Sequence, residues 1–117
     1  MERGRILILG QTKESTYEIR NLLDNKKYEL EIALSGDVGK TILSQRQMDL
    51  LILHTEMLSE VADEFFSFLK ENHLEIPVFI MGEETAKFQQ TAPTNSSVRC
   101  YEKPYPVSDL LNSIQAL

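Results

Sequence analysis

Few residues in this chain have types suited to chemistry, and they lie far apart: His54, His73, Cys100 and Lys103, with carboxylates around them. His54 follows four apolar residues, Leu50 to Leu53, in the segment DLLILHTEM (49–57). An imidazole at a strand tip can accept a phosphoryl group or titrate near neutrality. Two histidines are too few for a zinc site of usual composition. Cys100 has no second cysteine and no evident base beside it, so it reads as a small strand residue rather than a nucleophile.

Two stretches imitate phosphate-binding loops. GDVGKT (36–41) ends like a P-loop, but the glycine that must stand five residues before Gly-Lys-Thr is Leu34 here. Asp37 would also set a negative charge inside the cradle, so the stretch reads as the capped start of a helix. GQTKEST (10–16) places the hydroxyls of Thr12, Ser15 and Thr16 after an apolar run, as the phosphate loop of a flavodoxin does. It has no glycine after Gly10, and Glu14 would repel a phosphate. Neither stretch supports a nucleotide or flavin cofactor.

These residues hang on a regular alternation of short apolar runs and amphipathic segments. RILIL (5–9), DLLIL (49–53) and IPVFIM (76–81) read as strands buried on both faces, and YELEIAL (28–34) alternates as a half-exposed strand does. VRCY (98–101) is shorter and more polar, which suits a sheet edge. Helical spacing predicts a helix from Thr16 to Lys26 with Ile19, Leu22 and Leu23 inward. A second runs from Ser35 or Asp37 to about Arg46, with Val38, Ile42 and Leu43 inward. A third covers about 59–71 with Val61, Phe65, Phe68 and Leu69 inward, leaving Phe66 as an exposed anchor. A weaker one spans about 84–90, and 91–97 reads as loop. The last begins near Pro106, with Val107, Leu110, Leu111, Ile114 and Leu117 as its stripe.

Five strand–helix units give an α/β fold with a parallel sheet and helices on both faces. Such sheets carry their sites beyond the carboxyl ends of the strands, here Gly10-Gln11, His54-Thr55, Gly82-Glu83 and Glu102-Lys103. The 117 residues are expected to form one domain. A net charge of −6 and no dense basic face argue against nucleic acid and acidic membranes as partners. No apolar run reaches the ~20 residues of a membrane span, no signal peptide is legible at the start, and the single cysteine suits the cytoplasm.

With RILIL, DLLILHTEM, IPVFIMG and EKPY in this order and spacing, the chain resembles a bacterial response-regulator receiver domain over essentially its whole length. The resemblance implies a flavodoxin-like (βα)5 fold with strand order 2-1-3-4-5. It also implies a pocket for phosphoryl transfer to an aspartate. The family's two acidic Mg²⁺ ligands fall on Gly10 and Gln11, the phospho-accepting aspartate on His54, the hydroxyl residue on Gly82 and the lysine on Lys103. Only the lysine matches. Without metal-bound carboxylates nothing neutralises the charge that develops in the transfer.

His54 therefore reads as a replacement rather than a phospho-acceptor, and Lys103 as a remnant of the Lys-Pro turn, with Glu56 as its candidate partner. The expectation is a degenerate receiver: not an enzyme, without cofactor or metal, binding a signalling protein independently of phosphorylation. The family's usual partner face maps onto Lys87, Phe88, Arg99, Tyr101, Tyr105 and Asp109. The alternative is a small-molecule sensor, with Gly10 and Gly82 opening a cavity beside Gln11, His54 and Lys103.

Overall fold

A computed structural model describes residues 4–23, 27–57, 59–89 and 98–117. Within them five strands and five helices alternate along the chain. β1 (Gly4–Leu9), β2 (Tyr28–Ala33), β3 (Leu50–His54), β4 (Val78–Gly82) and β5 (Val98–Glu102) pair in parallel, in the order β2-β1-β3-β4-β5. The helices are α1 (Lys13–Leu22), α2 (Gly36–Gln45), α3 (Ser59–Glu71), α4 (Ala86–Gln89) and α5 (Val107–Gln115). The predicted architecture and strand order are those observed.

Alternation along the strands divides the core in two. Leu7, Leu9, Leu51, Leu53, Val78 and Ile80 face α2 and α3, with Phe65, Phe66 and Leu69 packed on them. Ile6, Ile8, Leu50, Ile52, Phe79 and Met81 face α1 and α5, meeting Ile19, Leu110 and Ile114. Burial on both sides explains why three strands read as unbroken apolar runs. Each such side chain contributes roughly 1.5–3 kcal/mol on leaving water. β5 lies at one edge, as its polarity predicts, and β2 at the other.

The helices depart from the periodicity in detail. α1 starts at Lys13, three residues earlier than predicted, because the Thr12 hydroxyl caps it by accepting from the Ser15 N–H at 3.2 Å. α1 ends at Leu22, with Leu23 already extended, short of the predicted end at Lys26; the predicted loop at 91–97 lies outside the described residues, as does Gln90. Val38 is 47% exposed rather than inward. The buried face of α2 is instead Gly36, Gly39 and Leu43. A Cβ on Gly39 would stand 2.8 Å from the Phe65 ring, and one on Gly36 3.2 Å from Val61. The glycines of GDVGKT thus let α2 approach α3, while the Ser35 hydroxyl caps the helix by accepting from the Val38 N–H.

The buried face of α3 is Ala62, Phe65, Phe66 and Leu69, so Phe66 is core and not an exposed anchor. α4 begins at Ala86 rather than Glu84, because Glu84 sits at φ 51°, in the left-handed region where a right-handed helix cannot run. Val107 and Leu117, assigned to the inward stripe of α5, are both exposed. No helix among the described residues is long and apolar enough to cross a membrane.

Candidate functional site at the carboxyl end of the sheet

His54 ends β3 in step with Leu50 and Ile52 and is 3% exposed. Its Nδ1 accepts the N–H of Glu56 at 3.0 Å, and its carbonyl accepts the N–H of Met57 at 3.2 Å, closing a tight turn. With Nδ1 as acceptor, the proton of the neutral ring sits on Nε2. That atom is buried and finds no hydrogen-bond partner among the described residues. Burial pushes the His54 pKa below its ordinary 6.5. The Glu56, Glu18 and Glu83 carboxylates pull it up and the Lys103 ammonium pushes it further down.

Thr55, which the sequence marks only as part of a strand end and gives no role, joins two strand ends. It is buried, and its hydroxyl accepts the Glu83 N–H at 3.0 Å while its own N–H donates to the Met81 carbonyl at 3.0 Å. Gly82, beside it, has φ 132°, a conformation glycine tolerates and other residues rarely adopt. The Thr55 hydroxyl occupies the place of a Cβ on Gly82. A hydroxyl is thus present near the β4 end, but the turn after β3 supplies it. The adjacency of a glycine at 82 and a threonine at 55 was the available signal, visible only once β3 and β4 are paired.

The β1 end is closed in the same way. Gly10 is buried, and a Cβ there would lie 2.6 Å from the Thr16 methyl. Gln11 is exposed. Thr16 donates its hydroxyl to the Thr12 and Lys13 carbonyls, both at 3.0 Å, and Ser15 donates to the Thr12 carbonyl at 3.2 Å. The hydroxyls of the flavodoxin-like stretch are consumed by the helix start. The Thr12 hydroxyl also donates to the Glu56 carboxylate at 3.2 Å, tying the β1 loop to the turn after β3.

Lys103 points its ammonium at Glu18 of α1, 3.4 Å away, rather than at Glu56. Both side chains are well exposed, so the pair is worth only about 0–1 kcal/mol. The Lys103-Pro104 bond is cis. Tyr105, half-buried in the same loop, has a buried hydroxyl without a hydrogen-bond partner among the described residues. Burial, reinforced by Glu18, Glu56 and Glu83, pushes its pKa up to about 12.

A cleft of about 270 Å³ remains, lined by His54, Thr55, Glu56, Glu83, Glu84 and Lys103. Gly10, Gln11 and Gly82 do not line it, so the two glycines have been filled by threonines rather than left as space. Gln11 instead borders a separate cleft of about 280 Å³ with Leu34, Asp37, Met57 and Val61. The residues present do not fit Mg²⁺: the Thr16 methyl crowds the position where a ligand carboxylate would leave the β1 end. Among the described residues no three His, Cys, Asp or Glu side chains are grouped to hold a metal ion.

On the predicted partner face, two aromatic residues are core. Phe88 is 1% exposed and packs with Leu53, Ile80 and Phe66 in the α2–α3 layer. Tyr101 is 9% exposed, meets the Phe79 ring at a tilt of 55° with centroids 5.3 Å apart, and donates its hydroxyl to Ser113 of α5 at 2.7 Å. As strand alternation predicts, Tyr101 and Cys100 face opposite layers. Arg99 and Asp109 are exposed, and the Lys87 side chain lies outside the described residues.

The same architecture recurs in solved proteins. The fold is that of a response-regulator receiver domain. The signal receiver domain of an HD domain-containing protein from Pseudomonas fluorescens Pf-5 superposes with a TM-score of 0.80 at 18% identity, covering 97% of this chain and 93% of that one. The chemotaxis protein CheY4 of Vibrio cholerae gives 0.78 at 18% identity over 97% and 98%. A streptococcal protein described as a redox sensor evolved from two-component response regulators gives 0.76 at 18% identity, over 97% of this chain and 50% of that one. No family model and no curated sequence matches the chain.

Proposed function

We propose that this chain is a pseudo-receiver: a receiver-type signalling domain that binds a protein partner without phosphoryl transfer. The observation that carries this is His54. The residue at the acceptor position is buried, and its Nδ1 is already committed to the Glu56 N–H. The infilling of Gly10 by Thr16 and of Gly82 by Thr55 supports the same reading, as does the ion pair that occupies Lys103. The likeness to receiver domains, one of them a chemotaxis protein, supports signal transduction in a bacterial cytoplasm as the setting, with the whole described chain acting as one domain.

Partner contact on the α4–β5–α5 side rests on Arg99, Asp109 and the exposed part of Tyr105, with Lys87 as a further candidate from its position in α4. Arginine is favoured at interface centres. Phe88 and Tyr101 support that face from beneath. The decisive experiment is an amide ¹H–¹⁵N spectrum titrated with Mg²⁺ and then beryllofluoride. Unchanged signals at Gly10, His54, Gly82 and Lys103 are expected, and saturable shifts there would overturn the reading.

Small-molecule sensing draws on the cleft beside His54 and Lys103. Its lining of three glutamates around a lysine already engaged by Glu18 disfavours anions. Ligand-dependent thermal stabilisation that His54→Leu abolishes would support it over the protein-binding reading.

A further inference from the structure

We propose that the turn from His54 to Met57 is an acid-labile latch across the carboxyl end of the sheet: neutral His54 holds it shut through Nδ1, and a proton on that nitrogen opens it. The proposal rests on the reading of this site as one without phosphoryl transfer, and it stands on hydrogen bonds that do not depend on any partner. Three loops meet at the turn. Glu56 gives its N–H to His54 Nδ1 at 3.0 Å and takes the Thr12 hydroxyl on its carboxylate at 3.2 Å, which brings in the loop after β1. Thr55 takes the Glu83 N–H at 3.0 Å, which brings in the loop after β4. His54 is the titratable member that fixes the backbone of the turn from which both contacts extend.

The chemistry of closure is one of donors and acceptors. A neutral imidazole offers one acceptor nitrogen, whereas the imidazolium carries N–H at both. A proton taken from water by Nδ1 sets a donor against the Glu56 N–H, and that hydrogen bond is lost. The Nε2–H gives no compensation in the closed state, since it is buried with no hydrogen-bond partner among the described residues. The ring is almost wholly out of water, which disfavours the cation while the turn stays closed.

The charges around the ring come from four directions. Glu56 on the turn itself, Glu18 from α1 and Glu83 from the β4–α4 loop favour the cation, while Lys103 from the β5–α5 loop opposes it. Tyr105, in that same loop, stays a neutral phenol throughout the relevant range. In the closed turn, burial outweighs the three carboxylates and the ring stays neutral near pH 7. Opening lets the ring reach water and keeps it close to those carboxylates, so the proton binds the open turn more tightly. Acid then shifts the population toward the open form by linkage. Of the segments released, the turn itself and the loop after β4 border the 270 Å³ cleft.

The test is carried out on the purified chain without Mg²⁺ or phosphodonor, which separates it from the beryllofluoride titration. Long-range ¹H–¹⁵N spectra of the imidazoles and amide spectra are recorded from about pH 8 to pH 5, the range in which a histidine changes charge. The expected result is an unprotonated Nδ1 and protonated Nε2 on His54 at the upper end. The amides of Thr12, Glu56 and Glu83 should then move with the same midpoint as the His54 ring. His54→Asn keeps a side-chain acceptor for the Glu56 N–H in an Asx turn but cannot titrate, so it should retain the upper-end spectrum and lose the transition. His73→Gln should leave the transition in place. A proton on Nδ1 at the upper end, a ring that titrates without moving the Glu56 amide, or a transition that persists in His54→Asn would each overturn the proposal.

Discussion

The Thr55 hydroxyl fills the volume that a side chain on Gly82 would require, and the same hydroxyl accepts the Glu83 N–H at 3.0 Å. One side chain from the turn after β3 therefore closes the end of β4 and holds the loop that follows. Position-by-position matching to receiver domains sees a lost hydroxyl at Gly82. In space, the hydroxyl has moved to the turn after the neighbouring strand and serves the backbone.

Restoring a side chain at Gly82 should be costly. Gly82→Ala places an L-residue at φ 132°, which alone costs about 1–3 kcal/mol, and adds an overlap with Thr55. Thr55→Ala removes the acceptor of the part-buried Glu83 N–H, at a cost of about 0.5–1.5 kcal/mol. Because the overlap disappears when Thr55 is truncated, the double variant should be less destabilised than the sum, with coupling of about 0.5–3 kcal/mol. Urea unfolding of all four proteins measures this. Strict additivity would mean that the two residues do not share the space.

Gly39→Ala offers a second test of close packing. In an exposed helix interior the change would stabilise by about 1 kcal/mol. Here the new Cβ would stand 2.8 Å from the Phe65 ring, so a net loss of about 1–3 kcal/mol is expected from overpacking. A raised unfolding midpoint in denaturant would refute the contact between α2 and α3 as described.

The pH dependence of stability follows from the direction of the His54 shift. Its folded pKa lies below the unfolded value of 6.5, so the unfolded chain binds the proton more tightly. Stability attributable to His54 is complete above that value and falls as pH drops toward the folded pKa. The slope is at most one proton, about 1.4 kcal/mol per pH unit. Comparing wild type with His54→Asn at each pH cancels the carboxylate contributions common to both. Parallel curves between about pH 7 and pH 5 would contradict the lowered pKa.

The two kinds of residue on the β5 side should separate cleanly. Tyr101→Phe removes the hydrogen bond to Ser113 and should cost about 0.5–1.5 kcal/mol, while Tyr101→Ala opens the core for about 3–5 kcal/mol. Arg99→Glu, on an exposed side chain whose contact with Ser113 is 3.4 Å long, should change stability by less than about 0.5 kcal/mol. Partner binding measured on folded variants should therefore fall in Arg99→Glu and persist in Tyr101→Phe. The reverse pattern would move the interface elsewhere.

What the sequence made legible was whatever depends on periodicity over several residues. Leu50 to Leu53 announced a strand covered on both faces, and the alternation that carries Leu50 and Ile52 inward also carries His54. The errors have local causes. Phe66 and Phe88 were offered to a partner because their helices' faces are set by neighbours that one-dimensional spacing does not show. Val38 was placed inward because the helix buries glycines, which carry no hydrophobic signal. The role of Thr55 is not legible in one dimension because it depends on the absence of a side chain 27 residues away, on a strand that only the fold makes its neighbour.

The contacts from Thr12 to Glu56 and from Thr55 to Glu83 are made by the chain's own side chains and need no ion or donor to form. If the domain signals as proposed, folding itself delivers each copy with these ends gathered, without a cycle of modification and reversal. At a fixed pH, the quantity a cell would then adjust is the number of copies it holds. Transcription, translation and degradation of the chain would set the strength of the signal, on the timescale of growth rather than of enzyme turnover.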